Sequence, residues 1–169
     1  LGYPHEMRII EREELASVVG SPIFIGGMVN AANGHLHPLN LCLGEARAIE
    51  QHGGRIFEQS SVVRIEHGNQ PKVLTSAGVV HAKKVVLAGN AYLGQTEPRL
   101  FGKVIPAGSY MIASERLNDD LARELLPQDH AACDQKTVLD YFRLSADKRM
   151  LFGGFCNYSG RDPKDITAS

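Results

Sequence analysis

The chain has 169 residues, 43% hydrophobic and 22% charged, enough for one ordinary domain or two small ones with a real apolar core. A formal net charge of −1 gives no basic face for nucleic acid or an anionic membrane. No apolar run approaches the ~20 residues of a membrane helix, and LGYPHEMRII lacks the cationic start and apolar middle of a secretory signal.

Residues 11–19, EREELASVV, are charged first and apolar later, and predict a short helix that Gly20-Ser21-Pro22 ends. Ile23-Phe24-Ile25 predicts a strand running into Gly26-Gly27, with MVNAANGH as loop. Pro38 opens the best helix of the chain, since a proline in the first turn lacks only an N–H that would be unpaired anyway. His37 stands at the cap position, although histidine is not a favoured cap. Leu39, Cys42, Leu43, Ala46 and Ile49 recur at three- and four-residue steps, and Gly53-Gly54 supplies the left-handed stop. Arg55-Ile56-Phe57 predicts a strand, so that helix and strand form half of a βαβ unit.

Ser61–Glu66, Lys72–Thr75 and Val79–His81 predict three short strands joined by tight turns, a β-meander. Val85-Val86-Leu87-Ala88 is a continuous apolar run, the pattern of a strand covered on both faces, and it stops at Gly89-Asn90. Val104-Ile105 and Tyr110–Ala113 predict further strand. Asn118–Leu126 predicts a helix capped by Asn118, with Asp119 and Asp120 at its positive end. Val138–Leu144 and Met150–Phe152 predict two strands about the turn Ser145–Lys148, the second ended by Gly153-Gly154. The implied division is residues 1–32, 33–96 and 97–169, with the first and third forming antiparallel sheet and helices around an inserted α/β middle.

Cys42, Cys133 and Cys156 are far apart, with no CxxC pair. They are expected to be buried or free thiols in a reducing compartment, hence a cytoplasmic setting, and Cys42, among leucines, is expected in the core. The chain begins at Leu1 and ends in RDPKDITAS without a clear closing element, which suggests a piece of a longer polypeptide.

The series Gly34-His35-Leu36-His37-Pro38-Leu39, Gly53-Gly54-Arg55-Ile56, Ser61-Val62-Val63-Arg64-Ile65 and Val85 to Leu93 (VVLAGNAYL), then Asp140-Tyr141-Phe142-Arg143-Leu144 and Arg149 to Gly154 (RMLFGG), resembles the D-amino-acid-oxidase-like FAD-dependent oxidoreductases. Within them it is most similar to the bacterial gamma-glutamylputrescine oxidases. The likeness runs along nearly the whole chain in consistent order. It implies a mixed α/β fold: part of an FAD-binding α/β domain with a β-meander (33–96), and part of an antiparallel-sheet substrate domain (1–32 and 97–169). The family's GxGxxG turn, where a helix N-terminus receives the pyrophosphate, occurs nowhere in this sequence. The segment that closes over the flavin ring in the family would lie beyond Ser169.

The resemblance places the main chain of Val62 beside the adenine edge, and Ala88, Gly89 and Asn90 against the ADP portion. Many relatives have a second glycine at the place of Asn90; asparagine tolerates the left-handed backbone. Taken alone, Val62–Ile65 is any half-buried strand and Ala88-Gly89-Asn90 any strand-ending turn. His35 and His37 have the HxH spacing of a metal pair, but no third ligand stands near and Pro38 turns the chain away, so no metal is expected. A place on the substrate side is the alternative to two loop histidines without chemistry. Tyr110, Tyr141 and Arg143 stand on the substrate-domain strands, where arginine would grip a carboxylate bidentately; a structural arginine is the competing reading.

The resemblance implies an amine oxidase: a hydride passes from the carbon beside nitrogen to FAD, and dioxygen becomes hydrogen peroxide. The substrate would be gamma-glutamylputrescine or a similar polyamine derivative. A sarcosine- or glycine-oxidase-like amino-acid oxidoreductase and a non-catalytic binding or assembly domain are the alternatives. No catalytic side chain is assigned, because the chemistry belongs to the flavin. Lacking the pyrophosphate turn, these 169 residues in isolation are expected to bind FAD weakly or not at all and to be inactive. A fluorescence titration of the isolated chain tests this; micromolar or tighter affinity for FAD contradicts it.

Overall fold

The structure is a computed structural model that describes Gly2 and residues 4–158. The RDPKDITAS end therefore lies outside the described residues. In chain order the elements are β1 (Met7–Ile10), α1 (Arg12–Leu15), β2 (Gly27–Asn30), α2 (Pro38–Gln51), β3 (Val62–Glu66), β4 (Lys72–Thr75), β5 (Val79–His81), a 3-10 helix (Asn90–Thr96), β6 (Gly108–Arg116), α3 (Asp119–Leu125), β7 (Ala132–Cys133), β8 (Tyr141–Leu144) and β9 (Arg149–Asn157). The fold is mixed α/β, with antiparallel strand pairs and few helices. The chain divides into two compact units, one of Leu1–Leu41 with Ser109–Asn157, the other built on Cys42–Gly108.

The first unit holds the hydrophobic core: Ile10, Leu15, Val18, Val19, Ala122, Leu126 and Leu144 are buried together. β1 pairs antiparallel with β2, and the four-stranded sheet runs β6-β9-β8-β7. Amphipathic spacing explains the inward residues of α3, whose Ala122 and following Leu126 stand four apart on one face. Its cap is as expected: the Asn118 side chain accepts the Leu121 N–H at 2.8 Å. Phe142 stacks between Phe24, at 6.3 Å, and Phe152, at 5.8 Å. Gly153 is the Cα partner of Tyr141. A Cβ there would lie 2.1 Å from the Tyr141 ring, so glycine lets the ring lie flat across the neighbouring strand.

The second unit contains the meander, β3-β4-β5, antiparallel throughout and with strand limits close to those expected. Ile65 is its buried apolar residue, and the 3-10 helix packs against β3.

Several expected elements are absent or displaced. Ile23-Phe24-Ile25 is not a strand; pairing starts at Gly27 and runs through residues 28–30, the stretch expected as loop, and Ile23 and Ile25 are exposed. The helix expected over 11–19 is regular only at Arg12–Leu15. Arg55–Phe57, Val85–Ala88 and Val104-Ile105 are not strands. Apolar β-branched residues favour extended backbone, but a strand exists only by hydrogen-bonding to a neighbour, and these runs make no ladder among the described residues. Val86 accordingly is 87% exposed. Gly153-Gly154 does not end its strand: β9 continues to Asn157, because Tyr141 covers the gap that Gly153 leaves. Cys42 is exposed, not core, and α2 has no buried residue, with Leu39, Leu41, Leu43 and Ile49 all exposed. The apolar spacing of α2 is real, yet among the described residues nothing covers that face.

The tightest point of the first unit is Gly20. Its N–H donates to the Leu125 carbonyl at 2.9 Å, and a Cβ there would fall 1.9 Å from the Glu124 carbonyl oxygen. Backbone cannot swing aside as a side chain can. Gly20→Ala is therefore expected to cost about 1–3 kcal/mol, as overpacking does, read as a lower urea midpoint with unchanged slope.

Candidate functional site

In the second unit the 3-10 helix packs against β3. β3 is an edge strand, so one row of its backbone N–H and C=O groups is not spent on β4. A register irregularity between Val62 and Arg64 disturbs the ladder at the start of that edge. Beside it runs the 3-10 helix, and Thr96 Oγ1 donates to the Val62 carbonyl at 3.4 Å. Ala88-Gly89-Asn90 is the corner that feeds this helix. Asn90 has φ 47°, the left-handed backbone for which asparagine is suited, while Gly89 itself has φ −84°. A Cβ at Gly89 would come within 2.8 Å of the Leu93 side chain. The small residue at the corner is thus explained in part by the turn's own packing.

Just past the helix is a charge cluster that the sequence reading passed over. Glu97 is 2% exposed and is the buried charged residue among those described. Its carboxylate accepts from Arg99 Nε at 2.7 Å, Arg99 Nη2 at 3.2 Å and the Arg99 backbone N–H at 3.3 Å. His67 Nε2 lies 2.7 Å from the other oxygen. Arg99 Nη2 also reaches the His67 ring, 2.9 Å from Nδ1. The same Arg99 Nη2 is 2.8 Å from His67 Nε2, so the guanidinium and the ring are in close contact at both ring nitrogens. The Arg99 hydrogen bonds, against the cost of burial, hold the Glu97 carboxyl down to about 2. The cluster borders an open cleft of about 260 Å³ lined by Ile65, His67, Val85, Leu87 and Arg99. The only signal in sequence was a carboxylate and a guanidinium two residues apart about Pro98, which is weak.

The expected substrate-side residues lie in the first unit, and only some come together. His35 and Arg143 touch, with Arg143 Nη1 3.4 Å from His35 Nδ1. His35 Nε2 donates to the Asp129 carbonyl at 2.9 Å. Arg143 donates to the Leu36 carbonyl from Nη2 and the Leu144 carbonyl from Nη1, each at 3.2 Å. The pair therefore brackets the His35-Leu36 loop onto β8. His37 stands apart from them: its Nδ1 accepts the Asn40 N–H at 3.2 Å, which makes it the cap of α2. The Tyr141 hydroxyl bonds Ser109 Oγ at 2.7 Å, whereas Tyr110 Oη accepts from Asn157 Nδ2 at 3.3 Å. Ser109 and Tyr110 are consecutive on β6 and point to opposite faces, so the two tyrosine hydroxyls do not share a site. Among the described residues no group of three His, Cys, Asp or Glu is arranged to hold a metal ion, and no helix is long and apolar enough to cross a membrane.

The family described as DAO, FAD dependent oxidoreductase, matches residues 1–169. The gamma-glutamylputrescine oxidoreductase of Escherichia coli K12 is 43% identical over 162 residues, covering 95% of this chain and 38% of that protein. A probable oxidoreductase OrdL of Haemophilus influenzae is 39% identical over 157 residues, 90% of this chain and 36% of its own length. The protein of the same description in Rhizobium meliloti is 34% identical over 168 residues, 99% of this chain and 39% of its own. The chain thus spans well under half the length of these relatives.

The Glu97 cluster has a definite acid signature. A folded-state value near 2, below the ordinary 4.5, means that its stabilising contribution is complete above pH 4.5 and is lost as the pH falls toward 2. Glu97→Gln is expected to flatten that part of the acid-unfolding curve relative to the parent, measured by circular dichroism at stepped pH.

Proposed function

The chain belongs to the DAO family of FAD-dependent oxidoreductases, and from that membership we propose that it forms part of a flavin-dependent amine oxidase acting on gamma-glutamylputrescine or a closely similar polyamine derivative. The observation that carries the reading is the packing, within one unit, of the 3-10 helix that follows the Ala88-Gly89-Asn90 corner against the β3 edge, with Thr96 tied to Val62.

These residues fit the nucleotide end of FAD. An edge strand offers fixed main-chain donors and acceptors to a base, and a corner of small residues admits a close approach. Val62 would meet the adenine, and Ala88, Gly89 and Asn90 the ADP portion. The pyrophosphate turn of the family is not among these residues, so they supply one part of the cradle. FAD, when bound, would supply the oxidation of the carbon beside the substrate nitrogen, with dioxygen as the final electron acceptor and hydrogen peroxide as its product.

The chain's own side chains would bind and orient. On this reading the first unit is the substrate-domain part. Arg143 has two of its nitrogens on the carbonyls of Leu36 and Leu144, so Nε and the second Nη2 proton are what remain for a substrate carboxylate. His35 holds that guanidinium from one side. Tyr141 lies flat on Gly153 with its hydroxyl directed at Ser109, a surface for the aliphatic part of the amine. Tyr110, on the opposite face of β6, and His37, the cap of α2, stand apart from this surface. A cytoplasmic setting suits three unpaired cysteines.

The test uses the polypeptide of the relatives' length that carries these residues. It is expected to purify yellow, with flavin absorbance, and to release peroxide with gamma-glutamylputrescine at a kcat/KM at least about tenfold above that with sarcosine or glycine, the worth of one charged contact. A preference for the N-methyl or simple amino acids overturns the substrate; a colourless protein that cannot be reconstituted overturns the flavin reading.

A further inference from the structure

A buried carboxylate is costly unless it is paired and hydrogen-bonded. Glu97 is both, and its partners come from two separate places in the chain. His67 directly follows β3, which ends at Glu66, while Glu97 and Arg99 directly follow the 3-10 helix, which ends at Thr96. The cluster is therefore a clasp between the far end of β3 and the segment leaving the helix. Thr96 makes a second tie, to Val62 at the other end of β3.

Two ties along one strand fix direction as well as position. That matters here because the 3-10 segment is kinked at Gly94, with φ 50° and ψ −130°. Across such a kink, the place of the first turn depends on where the second is anchored. From the first turn the link to the corner is short: the Tyr92 N–H donates to the Gly89 carbonyl at 2.9 Å, and the Leu93 side chain lies over Gly89.

We propose that His67, Glu97 and Arg99 are positioning residues for the nucleotide end of the cofactor. By clasping the segment after the 3-10 helix to the end of β3, they set where the Ala88-Gly89-Asn90 corner stands relative to Val62. The inference rests on the nucleotide site proposed above, and it adds residues that touch no part of the nucleotide. The Arg99 guanidinium contacts both Glu97 and His67, so its loss breaks two of the three pairings in the cluster.

The experiment measures FAD affinity in the flavoprotein of the relatives' length, for the parent, Arg99→Gln and Ala88→Leu. Arg99→Gln is expected to raise the dissociation constant for FAD about tenfold or more, the worth of a charge-assisted hydrogen bond. The kcat and the KM for the amine at saturating FAD stay unchanged, and hydrogen exchange at the Tyr92 amide speeds up. Arg99→Lys, which keeps the charge but not the fork, recovers part of the affinity. An unchanged dissociation constant in Arg99→Gln, with Ala88→Leu weakened, overturns the clasp and leaves the nucleotide site standing. An unchanged constant in Ala88→Leu overturns the nucleotide site and the clasp with it. Should Arg99→Gln fail to fold, His67→Ala, whose ring is half exposed, decides by the same readings.

Discussion

The arrangement of the second unit depends on one buried carboxylate. Glu97 has almost no exposed surface, and its charge is matched because Arg99 presents two side-chain nitrogens and a backbone N–H to it while His67 closes the remaining side. Satisfying that charge forces the end of β3 and the end of the 3-10 helix to the same place. Apolar contact alone would not be so particular, since Ile65 is the buried hydrophobic residue of this unit. A polar clasp is directional and fixes a single register.

The first unit is held in the opposite way. Ile10, Leu15, Val18, Val19, Ala122, Leu126 and Leu144 form a continuous apolar cluster, and polar ties occur around it. The Lys148–Asp119 pair, at 2.6 Å, fastens the β8–β9 turn to the start of α3 and holds the Asp119 carboxyl below its usual range. His35 and Arg143 belong to the same pattern. Their hydrogen bonds to the Asp129, Leu36 and Leu144 carbonyls account for their presence as loop brackets, and any substrate contact would be added to that duty.

Many apolar side chains remain exposed in elements whose sequence pattern is that of buried ones. α2 has leucines at helical spacing and no buried residue, and Val85–Ala88 has the composition of a covered strand and no ladder. Both facts accompany a third, that relatives matched along nearly all of this chain are more than twice as long. Burial is a property of neighbours, and sequence pattern registers the neighbours for which a segment is suited.

Local chemistry was legible in the sequence. The meander, the Pro38 helix and its Gly53 stop, the Asn118 cap and the Ser145–Lys148 turn follow from residues within a few positions of each other, because turns, caps and short antiparallel pairs are decided by local backbone preferences. The ordered series of motifs was enough to indicate the family. Tertiary structure alone decided which apolar runs became strands, because a ladder needs a partner that composition does not reveal. It alone separated Tyr110 from Tyr141, made His37 a cap, and joined His67 to Glu97 and Arg99 across about thirty residues. A buried ion cluster has no spacing rule, since its members are assembled by the path of the chain through space, and so it leaves almost no trace in the order of residues.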